Sequence, residues 1–256
     1  MIKTMKKQPL SYDRIDYGFD APGVMVGLGV AAVFAMVVAI VLGAIARGNV
    51  ILHVLGFIAG LAFCFFGFLF SCMLAYGKVG KARERDRMIS LISWCGDEHV
   101  LDIGTGTGLL LIAAAKQINA GRVVGIDMWR PEDLTDNNLD RLMANARLEG
   151  VAEKIEVLTQ DARKLSFPDG SFDVVLSTFC LHNIEPKDQQ VDACKEIARV
   201  LRPGGRAIIS DYVPTHAYAE AFRQAGLRVH FSKQDWLRAL GPMWVVLAEK
   251  SADLAH

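Results

Sequence analysis

The chain has 256 residues, 28 basic and 28 acidic side chains, 5 cysteines and a hydrophobic fraction of 52%. Charge balance argues against a general nucleic-acid binder, so no nucleic acid is expected as a partner. Cys64, Cys72, Cys95, Cys180 and Cys194 form no C-x-x-C pair, so neither a disulfide framework nor a zinc or other metal site is expected. The length allows one full α/β domain and an appendage, and the apolar excess lies near the start.

After an N-terminal segment, residues 1–20, no charge occurs from Ala21 to Ala46, nor from Gly48 to Gly77, with Arg47 alone between. Roughly 20 apolar residues suffice for a helix to cross a bilayer. A signal peptide has a shorter apolar region and no second span. Residues 21–77 are therefore expected to hold two transmembrane helices, about 22–46 and 50–76. The short link Arg47-Gly48-Asn49 predicts a tight antiparallel hairpin. Gly23-x-x-x-Gly27 and Gly56-x-x-x-Gly60 offer small residues for close helix approach. Lys3, Lys6, Lys7 and Arg14 precede the hairpin, and Lys78, Lys81, Arg83, Arg85 and Arg87 follow it. The positive-inside rule puts both termini and the following domain in the cytoplasm, with the hairpin in an inner membrane of bacterial type. Tyr12, Tyr17, Phe19 and Tyr76 sit where interfacial aromatics are expected.

A domain is expected over 78–256, beginning with an amphipathic helix at 78–94 whose basic cluster reads as a solvated face able to touch anionic headgroups. The run Val100-Leu101-Asp102-Ile103-Gly104-Thr105-Gly106-Thr107-Gly108 then reads as a strand, a glycine turn and the start of a helix over 109–115. Its spacing fails the G-x-G-x-x-G dinucleotide pattern, and it contains no P-loop. The remaining D-x-G-x-G-x-G resembles the first motif of class I S-adenosylmethionine (SAM) methyltransferases. Asp102 would place a carboxylate near a cation, which suits a sulfonium ligand better than a pyrophosphate.

The later elements continue the resemblance. Strand 122–126 ends in Asp127, and a carboxylate there can accept both ribose hydroxyls, its role in that family. Met128 and Trp129 follow, Trp129 either on the adenine face or as a loop aromatic. A polar loop over 130–138 leads to a helix at 139–149, and strand 154–158 leads to Gln160-Asp161-Ala162, similar to the family's adenine position. Strand 172–177 runs into Thr178-Phe179-Cys180-Leu181-His182-Asn183-Ile184, and a helix closing at Leu201-Arg202-Pro203-Gly204-Gly205 turns into strand 206–210. A helix over 217–225 and strands over 228–232 and 244–249 complete the pattern. The resemblance covers roughly Arg85 to Lys250. It implies an α/β, Rossmann-like seven-stranded sheet flanked by helices and ending in an antiparallel hairpin. It also implies SAM as cofactor, contacted by Asp102, Gly104, Thr105, Gly106, Gly108, Asp127, Met128, Asp161, Ala162 and Ser177.

Methyl transfer from SAM depends chiefly on positioning, and a general base is needed only when the acceptor must lose a proton. His182 and Asp211 are the candidate catalytic bases, and Tyr17 and Asp20 are candidates to fold over the pocket. Cys180 also raises a thiol reading like that of arsenite methyltransferases, whose full cysteine set is not evident here. The expected function is a membrane-anchored SAM-dependent methyltransferase with a small lipophilic or membrane-associated acceptor and the lipid bilayer as partner. The motifs resemble quinone-pathway C-methyltransferases and phospholipid N-methyltransferases. The alternatives are the same chemistry on a soluble small molecule, with the hairpin as anchor only, or a non-enzymatic membrane assembly factor that keeps the fold.

Overall fold

A computed structural model describes residues 12–235 and 243–252. Lys3, Lys6 and Lys7, part of the charge argument for topology, lie outside the described residues.

Two apolar helices come first, α1 (Pro22–Ile45) and α2 (Val50–Ala75), with mean hydropathies of 2.8 and 2.3 over their most apolar stretches. Both are long and apolar enough to cross a membrane. Core helices of a soluble domain would be buried, yet Val26, Phe34, Ile40, Phe57 and Phe68 all point outward. The link is tight, as expected: Arg47 and Gly48 take positive φ, and the Asn49 carboxamide caps α2 by accepting from the amides of Ile51 and Leu52. Of the expected glycine pairs, Gly56 makes the helix contact, packing on Leu42 and the backbone at Ala39 and Gly43, while nothing lies near Gly23, Gly27 or Gly60; Gly29 faces Phe70.

α2 passes through a single π-helical stretch, Tyr76–Gly80, directly into α3 (Lys81–Ser90). The amphipathic helix expected over 78–94 is thus a continuation of the hairpin that ends at Ser90. Its basic cluster is not wholly a solvated face. Lys81 and Glu84 are buried, and α3 also sends Met88 into the core.

The domain is a seven-stranded sheet in the order β3-β2-β1-β4-β5-β7-β6. Its strands are β1 (His99–Ile103), β2 (Arg122–Asp127), β3 (Ile155–Thr159), β4 (Phe172–Thr178), β5 (Leu201–Asp211), β6 (Leu227–Asp235) and β7 (Met243–Lys250). The first five are parallel, and β7 is antiparallel to both β5 and β6. The central strands are buried on both faces, which is why they read as continuous apolar runs. On one face α3, α4 (Leu109–Ala115) and α5 (Leu139–Leu148) pack on Val100, Val123, Val174 and Leu176. On the other, α6 (Gln189–Val200) and α7 (His216–Gln224) pack on Leu101, Ile103, Val175 and Ile209. Pairing of β4 with β5 jumps from Phe172–Leu201 to Val174–Arg206, so the Arg202-Pro203-Gly204-Gly205 turn is a bulge inside β5.

Candidate active site

Chain connections reverse direction between β1 and β4, and open α/β sheets form their ligand crevice outside the carboxyl ends of strands at such a point. A cavity lies there. Its floor is Ile103, Gly104, Thr105 and Gly106 from the β1 tip, Asp127 and Met128 from β2, Asp161 and Ala162 after β3, and Thr178, Phe179 and Cys180 from β4.

The glycine turn brings bare backbone to this floor. Gly104 and Gly106 have φ of 72° and 52°, in the left-handed region. A Cβ on Gly104 would collide with the Cys180 side chain, and one on Gly106 with Leu134. The amides of Gly104 and Thr105 donate to the Ile126 carbonyl at 2.9 and 3.0 Å, which ties the turn to β2. Asp127 is held from both sides, Oδ2 accepting from the Gly106 amide at 2.7 Å and Oδ1 from the Trp129 amide at 2.6 Å. Each oxygen keeps lone-pair capacity for a ligand hydroxyl.

Asp161 accepts a two-pronged contact from the Arg163 guanidinium and also takes the Arg163 amide at 2.9 Å. The Arg163 hydrogen bonds hold its carboxyl below the usual carboxylate range. Any ligand amine here therefore shares Asp161 with Arg163. Trp129 is a loop aromatic: its indole N–H donates to Thr159 Oγ1 at 2.8 Å, and its ring packs among the α4-side core residues.

Of the remaining residues expected to touch the cofactor, three do not line the cavity. Asp102 alternates with Ile103 along β1, so it turns away from the floor. It is 1% exposed, its Oδ2 has no hydrogen-bond partner, and burial pushes its pKa up to about 7, with the nearby charge of Asp127 adding to the rise. Ser177 is fully buried and donates to the Ile103 carbonyl at 2.9 Å, joining β4 to β1. Gly108 starts α4 with φ of 93° and lies against Ile112 and Leu142.

His182 and Asp211 meet each other outside the lining. His182 Nδ1 lies 2.8 Å from Asp211 Oδ1, out of line for a well-formed hydrogen bond, while the His182 amide donates to Oδ2 at 3.2 Å. Asp211 is fully buried and also accepts from the Tyr212 amide and the Tyr218 hydroxyl. Between this pair and the cavity stands Phe179, with a φ of 52° and its ring centroid 6.2 Å from that of His182. Burial and four neighbouring carboxylates push the Cys180 thiol far up, which keeps it a thiol and does not favour the thiolate reading.

The roof comes from outside the expected motifs. Residues 12–21 cross the loop before α5. The Phe19 amide donates to Thr135 Oγ1, the Thr135 amide returns to the Phe19 carbonyl, and Asp20 pairs with Leu134 as a one-residue antiparallel bridge. The Asp16 amide and carbonyl both bond the Asn145 side chain, and the Tyr17 hydroxyl reaches Glu149. Tyr17 and Asp20 line the cavity, as does the foot of the hairpin through Tyr76 and Lys81. Of the aromatics expected at a membrane interface, Tyr76 packs on Phe179 at 5.2 Å and Tyr12 lies under Arg141, both against the domain, while Phe19 lies on Gly77 at the hairpin foot. The signal for Lys81 was present in its spacing, because Lys81, Glu84 and Met88 share one helical face with a core residue.

Bare glycines, a carboxylate set by two amides and a second acid one strand further along fit an adenosine-bearing ligand. Comparison with known proteins agrees. Residues 100–205 match the methyltransferase domain family. The chain is 32% identical over 148 residues to a demethylmenaquinone methyltransferase of Thermus thermophilus, covering 57% of this chain and 60% of that one. It is 39% identical over 121 residues to the ubiquinone/menaquinone biosynthesis C-methyltransferase UbiE of Pseudomonas fluorescens, covering 46% and 44%. The chain thus spans about half the length of these relatives. Among solved structures, a SAM-dependent methyltransferase from Aquifex aeolicus aligns with a TM-score of 0.53 at 19% identity, covering 66% of this chain and 90% of that one. The [4+2]-cyclase SpnF aligns with a TM-score of 0.56, also at 19% identity, covering 66% and 81%. These likenesses show the fold, and the cyclase shows that the fold alone does not set the chemistry. The chain thus has the Rossmann-like methyltransferase fold, its residues 100–205 match a methyltransferase domain, and S-adenosylmethionine is the cofactor these findings support.

Proposed function

We propose that the chain is a membrane-anchored methyltransferase that moves the methyl group of SAM to a small lipophilic acceptor, with a quinone-type ring as the leading candidate. The hairpin would lie in an inner membrane, with both termini and the domain on the cytoplasmic side. The named relatives act in quinone biosynthesis, which supports this acceptor class. The observation that carries the reading is the hairpin foot. The apolar helix α2 continues without a break into the domain and sets Tyr76 and Lys81 into the cavity wall. A cavity walled by the end of a membrane helix lies within reach of an acceptor held in the bilayer.

When bound, SAM supplies an activated methyl group on a sulfonium. The chain's own residues supply position. Asp127 receives the ribose hydroxyls, held in place by the Gly106 and Trp129 amides. Asp161, shared with Arg163, and its neighbour Ala162 on the floor would hold the adenine end. Tyr17 and Asp20 of the strap line the cavity, and Leu134 lies over Gly106. Phe179, Cys180 and Tyr76 line the same cavity and would be available to the acceptor. His182 and Asp211 brace the β4 tip behind Phe179, and we assign them no proton transfer.

The test incubates purified full-length protein in lipid nanodiscs with methyl-labelled SAM and a total lipid extract, followed by solvent partition. Label moving to the organic phase supports the reading. Label confined to the aqueous phase overturns the lipophilic acceptor, and failure to bind S-adenosylhomocysteine (SAH) in calorimetry overturns the methyltransferase reading itself.

A further inference from the structure

Asp127 and Asp161 stand at the tips of β2 and β3, so a cofactor with its ribose at the first and adenine at the second extends its amino-acid end the other way, to the glycine turn of β1. Of the acids that line the cavity near that turn, Asp127 is engaged by the Gly106 and Trp129 amides, and Asp20 comes from the N-terminal strap. Asp20 bridges Leu134, and Leu134 lies directly over Gly106. Lys81 holds the strap there from across the hairpin. Its Nζ donates to the carbonyls of Tyr17 at 3.0 Å and Gly18 at 3.2 Å and lies 3.1 Å from Asp20 Oδ2. Lys81 is 7% exposed and Asp20 19%, and both line the cavity. The three Nζ contacts all go to the strap, which leaves Asp20 as the member of the pair able to receive a cation. Asp20 Oδ2 is the buried oxygen that faces Lys81.

Resting on the function proposed above, we propose that Asp20, positioned by Lys81, receives the ammonium of the cofactor's amino-acid end, so that the membrane hairpin completes the cofactor site. Neither residue falls within the stretch that matches the methyltransferase family, which starts at residue 100.

Two ligands separate this contact from a general effect on the pocket. SAH carries the amino-acid end, and 5′-methylthioadenosine keeps the adenosine and sulfur but lacks it. Calorimetric titration of the full-length protein in detergent is expected to show Asp20→Asn weakening SAH by about tenfold or more, as for loss of a charged hydrogen bond, with methylthioadenosine changed less than about twofold. The retained methylthioadenosine affinity also reports that the variant folds. Unchanged SAH affinity, or equal losses for both ligands, overturns the proposal. If the unaltered protein binds neither ligand, the cofactor reading fails first.

Discussion

Replacing Asp127 tests the core of the site, because its carboxylate clamps the glycine turn and is the group proposed to receive the ribose. In the free protein it accepts two backbone amides at 2.7 and 2.6 Å. Hydrogen bonds to a charged group contribute about 1.5–3 kcal/mol each in net terms. Asp127 is half-buried, so solvent takes back part of the sum, and about 2–4 kcal/mol is expected for losing both. For a domain of this size that lowers Tm by roughly 4–16 °C. Asp127→Asn keeps one acceptor but turns an NH2 toward the other amide, so it recovers no more than half of the loss. The ligand effect adds to this: loss of the two proposed ribose contacts weakens SAH by about 1–3 kcal/mol, about fivefold to more than a hundredfold. Thermal denaturation in detergent reads the first number and calorimetric SAH titration the second. Asp127→Ala with a Tm within about 1 °C of the parent and unchanged SAH affinity would refute both the amide clamp and the ribose contact.

Gly104→Ala should destabilise the domain by about 2–4 kcal/mol, because it adds left-handed strain to a collision with Cys180; adding Cys180→Ala should not rescue it, since the Cys180 Cβ is itself in the way, and rescue measured by thermal melting would disprove the steric account. Ser177→Ala removes the buried donor to the Ile103 carbonyl and should cost about 1–2 kcal/mol, while SAH affinity holds; a large affinity loss in calorimetry would make Ser177 a cofactor contact after all. Asp102 has a folded pKa of about 7, above its ordinary value. Its contribution is therefore fully present below pH 4 and is lost as pH rises through 7, by up to about 4 kcal/mol. Asp102→Asn should flatten that limb of the stability–pH curve in chemical denaturation, and an unchanged slope would place the titration elsewhere.

Sequence made the sheet legible for a physical reason. A parallel strand covered on both faces must be apolar throughout, so the acids that follow its end, Asp127 and Asp161, stand out by position, and both line the cavity. What motif reading missed was direction. Asp102 and Ser177 lie in the right stretches, but side chains on a strand alternate, and these two turn from the floor into a core and a strand–strand contact. Residue type also misled at α3. A cluster of lysines and arginines after an apolar run reads as a flank facing headgroups, yet Lys81 turns inward to the strap, and buried Glu84 accepts from the Ser210 hydroxyl at 2.6 Å. The strap itself carries no regular pattern. Its place depends on contacts with Leu134, Thr135, Asn145 and Glu149, more than a hundred residues away, and no local period encodes those.

The Lys81–Asp20 pair is a weak device for stability alone. Removing two charges from water costs about as much as their attraction returns, and an apolar pair of similar size would hold the foot as well. An ion pair does better at fixing register. Asp20 stands just before α1 and Lys81 just after the π-helical stretch that ends α2, so the pair joins the two ends of the hairpin across its base. Apolar helices slide and rotate on one another at little cost, because one exposed aliphatic face resembles the next. A buried charge tolerates no such slip, since a shift of one residue leaves it unpaired at a cost of several kcal/mol, on the order of 3–5. The pair therefore locks the hairpin to one rotation relative to the glycine turn, and that rotation is the one that sets Tyr76 and Asp20 in the cavity wall.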